Sequence, residues 1–134
     1  MKKGQVLAPV NATLEYTKNA VMTASKAKLI VMMYEGAIRF AEQARFHGNR
    51  GSHAACGTAI SNCYNIVSEL KIALDPEPGG VIGKKITEDL AALYAFVLEQ
   101  LVGANVDRNM DNIDNVLDVL KVLKEGWDGA AQQI

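Results

Sequence analysis

Thr23-Ala24-Ser25-Lys26-Ala27-Lys28-Leu29-Ile30-Val31-Met32-Met33-Tyr34-Glu35-Gly36 is the stretch that decides the fold. Ser25 has the side chain of a helix N-cap, since its hydroxyl can accept from an amide that the first turn leaves unpaired. Beyond it, Leu29, Ile30, Met33, Ala37, Phe40, Ala41 and Ala44 recur at helical spacing and form one apolar stripe. A second row, Ala27, Val31, Tyr34 and Ile38, runs beside the first. A helix with two apolar rows needs cover on two sides, either from its own fold or from another chain.

Three more helices follow by the same reasoning. The first should run from about Lys26 to Phe46, with Gly36 marking a close approach to a neighbour, and stop at His47-Gly48-Asn49-Arg50-Gly51. The second spans Ser52 to about Leu74 on Ala55, Ala59, Cys63, Ile66, Leu70 and Ala73, with Cys56, Ile60, Val67 and Leu74 alongside. Asp75-Pro76-Glu77-Pro78-Gly79-Gly80 ends it, because two prolines and two glycines cannot continue a helix. The third carries Ile82, Ile86, Leu90, Leu93, Val97 and Leu101 and closes at Gly103-Ala104-Asn105. The fourth runs from about Asn109 to Trp127 on Ile113, Val116, Leu117, Leu120 and Leu123, with early aspartates and late lysines that complement the helix dipole.

Four amphipathic helices of similar length joined by short turns predict an all-α fold, an antiparallel four-helix bundle. Residues 1–22 read as a flexible or short-helical N-terminal arm, 23–127 as the bundle, and 128–134 as a frayed tail. Tyr16 and Val21 stand as isolated large side chains in that arm, which is expected to fold back over a groove.

A chain of 134 residues is one domain and can bury a core without staples. The net charge of -1 gives no general attraction to nucleic acid. The longest apolar run, Leu29 to Tyr34, is far short of the ~20 residues that cross a bilayer, so no membrane insertion is expected. Cys56 and Cys63 lie seven residues apart on one helix, roughly 10 Å by helical rise and too far for a disulfide. Small buried thiols suit a reducing, cytoplasmic compartment.

The chemical inventory is thin. The Glu-x-x-His pairs of a di-iron bundle are missing from the sequence. His53, Cys56 and Cys63 have spacings that zinc could use, but all three fall on one helix or its start. Gly79-Gly80 lacks the lysine and hydroxyl of a phosphate loop. These readings predict no cofactor, no metal and no enzyme. What is unusual is surplus apolar surface: Val31, Tyr34 and Ile38 on helix 1, Ile60 and Val67 on helix 2, and Phe96 on helix 3 with Tyr94 on its other flank. Surplus apolar faces on a charged-rimmed bundle point to a partner or an oligomer. For Phe96 the competing reading is an internal contact with a neighbouring helix or the arm.

The pattern Tyr16…Val21-x-Thr23-Ala24-Ser25, then Leu29-Ile30-x-Met32-x-Tyr34-x-Gly36-Ala37-Ile38, resembles the opening of the flagellar secretion chaperone family FliS. The likeness continues through Ile66-Val67-x-Glu69-Leu70, Gly79-Gly80-x-Ile82, Leu93-Tyr94-x-Phe96-Val97 and Ala104-Asn105 to Trp127. Lys26-Ala27 departs from the proline and acidic residue usual there, and Glu35 stands for a usual aspartate. The resemblance implies a cytosolic bundle that binds the disordered C-terminal segment of flagellin, keeps it from polymerising early and helps present it to the flagellar export apparatus. It adds Tyr16, Ala104 and Asn105 to the expected partner-binding set. The rival expectation is a self-associating bundle whose extra rows form a homodimer.

Overall fold

The structure is a computed structural model that describes the backbone of residues 3–74 and 83–133, and the side chains of these apart from 3–13, 16, 19–25 and 133. Four helices account for nearly all of it: α1 Lys3–Asn49, α2 His53–Ile72, α3 Lys84–Asp107 and α4 Met110–Gln133. α1 packs against α2 and α4, α3 packs against the same two, and α1 and α3 face each other across the diagonal. Arg45 pairs with Asp114 and Glu42 with Lys121, so α1 and α4 run antiparallel. The Gln100–Asn115 hydrogen bond and the Gly103–Asn112 approach set α3 against α4 in the same sense. The expected antiparallel four-helix bundle is the fold.

The boundaries differ from those expected, and each difference has a cause. α1 does not begin at Ser25. It is continuous from Lys3, so Ser25 lies in its interior and there is no separate N-terminal arm. Residues 10–24 contain neither glycine nor proline, and nothing in them stops a helix from growing backward. A continuous helix cannot fold back over its own bundle, so the expected covering arm is absent. Gly48 does not end α1 either; the reversal falls at Gly51, which takes φ +74 and closes with the Ser52 amide on the His47 carbonyl at 2.9 Å.

The third helix continues through Gly103, Ala104 and Asn105 to Asp107, and its stop is Arg108, left-handed at φ 53. Asn109 then caps α4, its side-chain oxygen accepting from the Asp111 amide at 3.0 Å. The tail expected to fray is helical to Gln133. Lys124 and Asp128 form an i,i+4 ion pair at 2.7 Å across the boundary expected there. Residues 75–82, which include the expected start of helix 3, lie outside the described residues.

α1 turns small residues inward. Ala27, Ala37, Ala41 and Ala44 are buried, and Gly36 lies where an added Cβ would meet the Ile66 Cδ1 at 3.3 Å. The close approach expected at Gly36 is therefore real, and it lets α2 come in tightly. The fold itself buries Ala27, Tyr34, Ala37, Ala41 and Ala44 of the two rows and half-buries Val31 and Ile38, because the helix sits between two neighbours. Leu29, placed in the core stripe by its spacing, is instead 57% exposed. Opposite α1, Leu90, Tyr94, Val97, Leu101 and Ala104 of α3 complete the core with Cys63 and Val67 of α2 and Ile113, Val116, Leu117 and Leu120 of α4.

Candidate partner-binding surface

The centre of the bundle holds one polar contact between diagonal helices: the hydroxyls of Tyr34 and Tyr94 are hydrogen-bonded to each other. Their rings lie 6.3 Å apart, tilted by 47°. Burial pushes both phenols above their ordinary ionisation range, with the mutual hydrogen bond adding to the rise at Tyr34. Two wide side chains meeting tip to tip set the distance across the diagonal, while the alanines of α1 set the distance along its sides.

That geometry redistributes the residues expected to bind a partner. Tyr34, Ile60, Val67, Tyr94 and Ala104 are buried in the core, with Ile60 and Ala104 reaching the floor of hollows between the helices. Spacing shows that α1 and α2 each carry two apolar rows without showing how many neighbours cover them. Val31 and Ile38 are half-buried. The side chain of Tyr16 lies outside the described residues. Phe96 is 39% exposed. It stands one turn before Gln100, whose side chain bonds Asn115, and so lies on the α4 flank of α3. Asn105 is exposed on the opposite flank.

Asn105 leads to a groove that the sequence reading missed. Ile60, Ser61, Tyr64 and Asn65 of α2 and Leu101, Val102 and Asn105 of α3 line a hollow of about 160 Å³ between the two helices. A second hollow, about 80 Å³, lies at the end of the bundle where Gly48, His53, Cys56, Asn105, Arg108 and Met110 come together. Burial raises the Cys56 thiol and pushes Cys63 up to about 12, so neither is set up as a nucleophile. Among the described residues no three His, Cys, Asp or Glu side chains are grouped to hold a metal.

The outer surface of α3 is the most apolar exposed face on the described molecule. Ile86, Leu93 and Phe96 are exposed on one side of it and Val102 and Val106 on the other, where Tyr64 of α2 stands beside Val102. Ile86 and Leu93 had been placed in the core stripe by their spacing. Val102 and Val106 form an i,i+4 pair that becomes visible only if the helix is carried through Gly103. Closing it there concealed the outer row. By length and by a mean hydropathy of 1.2, α3 is also apolar enough to cross a membrane. In the bundle it is one wall, with its inner row in the core and its Tyr94 hydroxyl held by Tyr34.

The comparisons with known proteins agree with this architecture. The family model described as flagellar protein FliS matches residues 9–134. The flagellar secretion chaperone FliS of Salmonella typhimurium strain LT2 is 34% identical over 111 residues, covering 82% of this chain and 79% of its own. The flagellar secretion chaperone FliSB of Pseudomonas aeruginosa is 31% identical over 109 residues, with 81% and 83% covered. A solved structure described as a flagellar chaperone from bacteria superposes with a TM-score of 0.76 at 25% identity, covering 94% of this chain and 99% of that one. The chain is a member of the FliS family of flagellar secretion chaperones.

Proposed function

We propose that this chaperone acts in the cytoplasm on flagellin, holding its C-terminal segment against the outer face of α3 and the grooves beside it. Held there, the segment is kept from polymerising and is carried to the flagellar export apparatus. The observation behind this reading is that α3 exposes Ile86, Leu93 and Phe96 toward its α4 side and Val102 and Val106 toward its α2 side, while its inner row already completes the core. A disordered segment that folds on binding buries apolar side chains in such grooves as helical or extended pieces. The fit requires neither nucleotide nor metal, since burial and backbone ordering are the whole of the work.

Calorimetry with a peptide from a flagellin C-terminus tests the reading, using the parent chain and Phe96→Asp. The variant should melt within a few degrees of the parent, because Phe96 is only partly buried, yet bind at least about tenfold more weakly, a loss of about 1.4 kcal/mol. Absence of binding by the parent overturns the reading. A stable dimer indifferent to the peptide assigns the α3 face to self-association instead.

A further inference from the structure

On the opposite side of the bundle the outer surface of α1 carries a different chemistry. Arg39, Gln43 and Phe46 of α1 and Arg50, in the turn just past its end, recur at offsets that stack them on one exposed stripe. Phe46 is 51% exposed. The Arg50 guanidinium lies 3.6 Å from the Phe46 ring centroid and donates to the Phe46 carbonyl at 3.1 Å, so it is held flat on the aromatic face. Arg39 lies over Phe40 in a looser stack at 5.8 Å.

The neighbouring charges are already engaged: Arg45 pairs with Asp114 at 3.1 Å and Glu42 with Lys121 at 3.4 Å. Arg39 and Arg50 have no carboxylate partner among the described residues. On a chain of net charge -1 this leaves a local positive strip around an exposed ring.

We propose that the Arg39–Phe46–Arg50 stripe of α1 docks a second protein, through an acidic segment that carries an apolar side chain between its carboxylates. Guanidinium forks match carboxylates in pairs of parallel hydrogen bonds, and arginine with an exposed aromatic is the composition of an interface hot spot. Arg50 is pre-ordered by its stack, so less side-chain freedom is lost when a carboxylate arrives. The two arginines stand eleven residues apart, about 16 Å along the helix, and Phe46 fills the space between them. Nucleic acid fits less well, because phosphate-backbone binding draws on many cations and this strip has two unpaired ones. The site faces away from α3, so a partner here and a segment on α3 can be bound together.

The test uses a short fluorescein-labelled peptide of glutamates flanking a central phenylalanine, read by anisotropy on the full chain. The same peptide with alanine for phenylalanine, its lysine counterpart, anionic phosphatidylglycerol vesicles and a DNA duplex serve as comparators. Expected is saturable binding of the acidic aromatic peptide that weakens with salt, and by at least about tenfold in both Arg39→Glu/Arg50→Glu and Phe46→Ser. Melting should hold steady in these variants, since the three side chains are exposed. The Phe96→Asp variant should bind this probe as the parent does, which separates failure here from failure of the α3 reading. Undiminished binding in the charge-reversed variant overturns the proposal, as does equal binding of the alanine peptide, which would mean ion exchange alone. Tighter binding of vesicles or duplex overturns it in favour of that ligand, and no binding of any probe overturns it outright.

Discussion

α1 and α3 stand at opposite corners of the same bundle, each packed between α2 and α4, and both carry more apolar side chain than a single stripe needs. α1 presents alanines and Gly36 inward, so its neighbours come close enough to bury Tyr34 and half-bury Val31 and Ile38. α3 presents Leu90, Tyr94, Val97 and Leu101 inward, and Leu93, Phe96 and Val102 on its flanks stay exposed. Between Met33 and Ala44 of α1 the surplus is taken up by the neighbours, whereas α1 leaves Leu29 and Met32 exposed and α3 displays Leu93, Phe96 and Val102. The proposed division of labour follows: α3 for an apolar segment, α1 for an acidic one.

The largest expected effect contrasts two leucines on α3. Leu101→Ala should cost about 3 kcal/mol, since the side chain is fully buried and its loss leaves a cavity in the core. Leu93→Ala on the exposed flank should cost under about 1 kcal/mol. Urea unfolding of both variants measures this. Equal costs would mean that α3 is a buried helix with no free face.

The two thiols on α2 give the next effect. Cys63 is fully enclosed and its thiol is pushed up to about 12 from an ordinary 9.0, whereas Cys56 lines the end hollow beside Asn105. Below pH 9 the thiol is protonated in both folded and unfolded chains and stability is unaffected by it. Above pH 9 the unfolded chain releases the proton first, so stability falls by about 1.4 kcal/mol for each pH unit up to about 12. Tyr34 and Tyr94, also raised by burial, steepen the fall above pH 10. Urea midpoints at pH 8.5 to 10.5 should show this decline, and Cys63→Ala should flatten its first unit. An unchanged slope in that variant would mean that the core beneath α1 is wet.

Much of this was legible in the sequence, and the rest was lost for definite reasons. The four elements, their order, the polarity of α4 and the close approach at Gly36 all follow from spacing and turn chemistry. The start of α1 was misplaced because a serine is a good cap only where the preceding residues prefer another conformation, and residues 10–24 are themselves helix-compatible. Half of the expected partner set is buried in this conformation, which a wheel does not foresee because it reports rows without reporting neighbours. Tyr34 and Tyr94 look like flanking aromatics on separate wheels, and only the diagonal contact shows that they meet.

That contact is the third place to probe, as the described hydrogen bond that joins α1 to α3. Tyr34→Phe should cost about 1 kcal/mol, because the buried Tyr94 hydroxyl loses the Tyr34 bond and keeps only that to the Trp127 side chain, while the ring still fills its space. Replacing both tyrosines by phenylalanine should cost less than the two single changes added together, since no hydroxyl is then left unpaired and only the Trp127 side chain loses partners. A double-mutant cycle reads the coupling. Additive costs would show that the two helices are held apart by packing alone.

The smallest effect compares three glycines inside helices. Alanine is favoured over glycine by about 1 kcal/mol in a helix interior, so any shortfall reports what the new methyl meets. At Gly126 nothing lies within 4 Å, and Gly126→Ala should realise most of that gain. At Gly103 the methyl would lie 2.6 Å from the Asn112 Nδ2, the tip of a half-buried side chain that can swing aside, and a fraction of the gain should survive. At Gly36 it would press on the Ile66 Cδ1 at 3.3 Å, where α1 and α2 are packed closely and little can give. Gly36→Ala should therefore be neutral within about 0.5 kcal/mol. The ranking Gly126, Gly103, Gly36 in thermal melts is the outcome expected of a bundle tight around α1 and looser around α3. If Gly36→Ala gained as much as Gly126→Ala, α1 would not be the close-packed corner, and the contrast with α3 would rest on its exposed side chains alone.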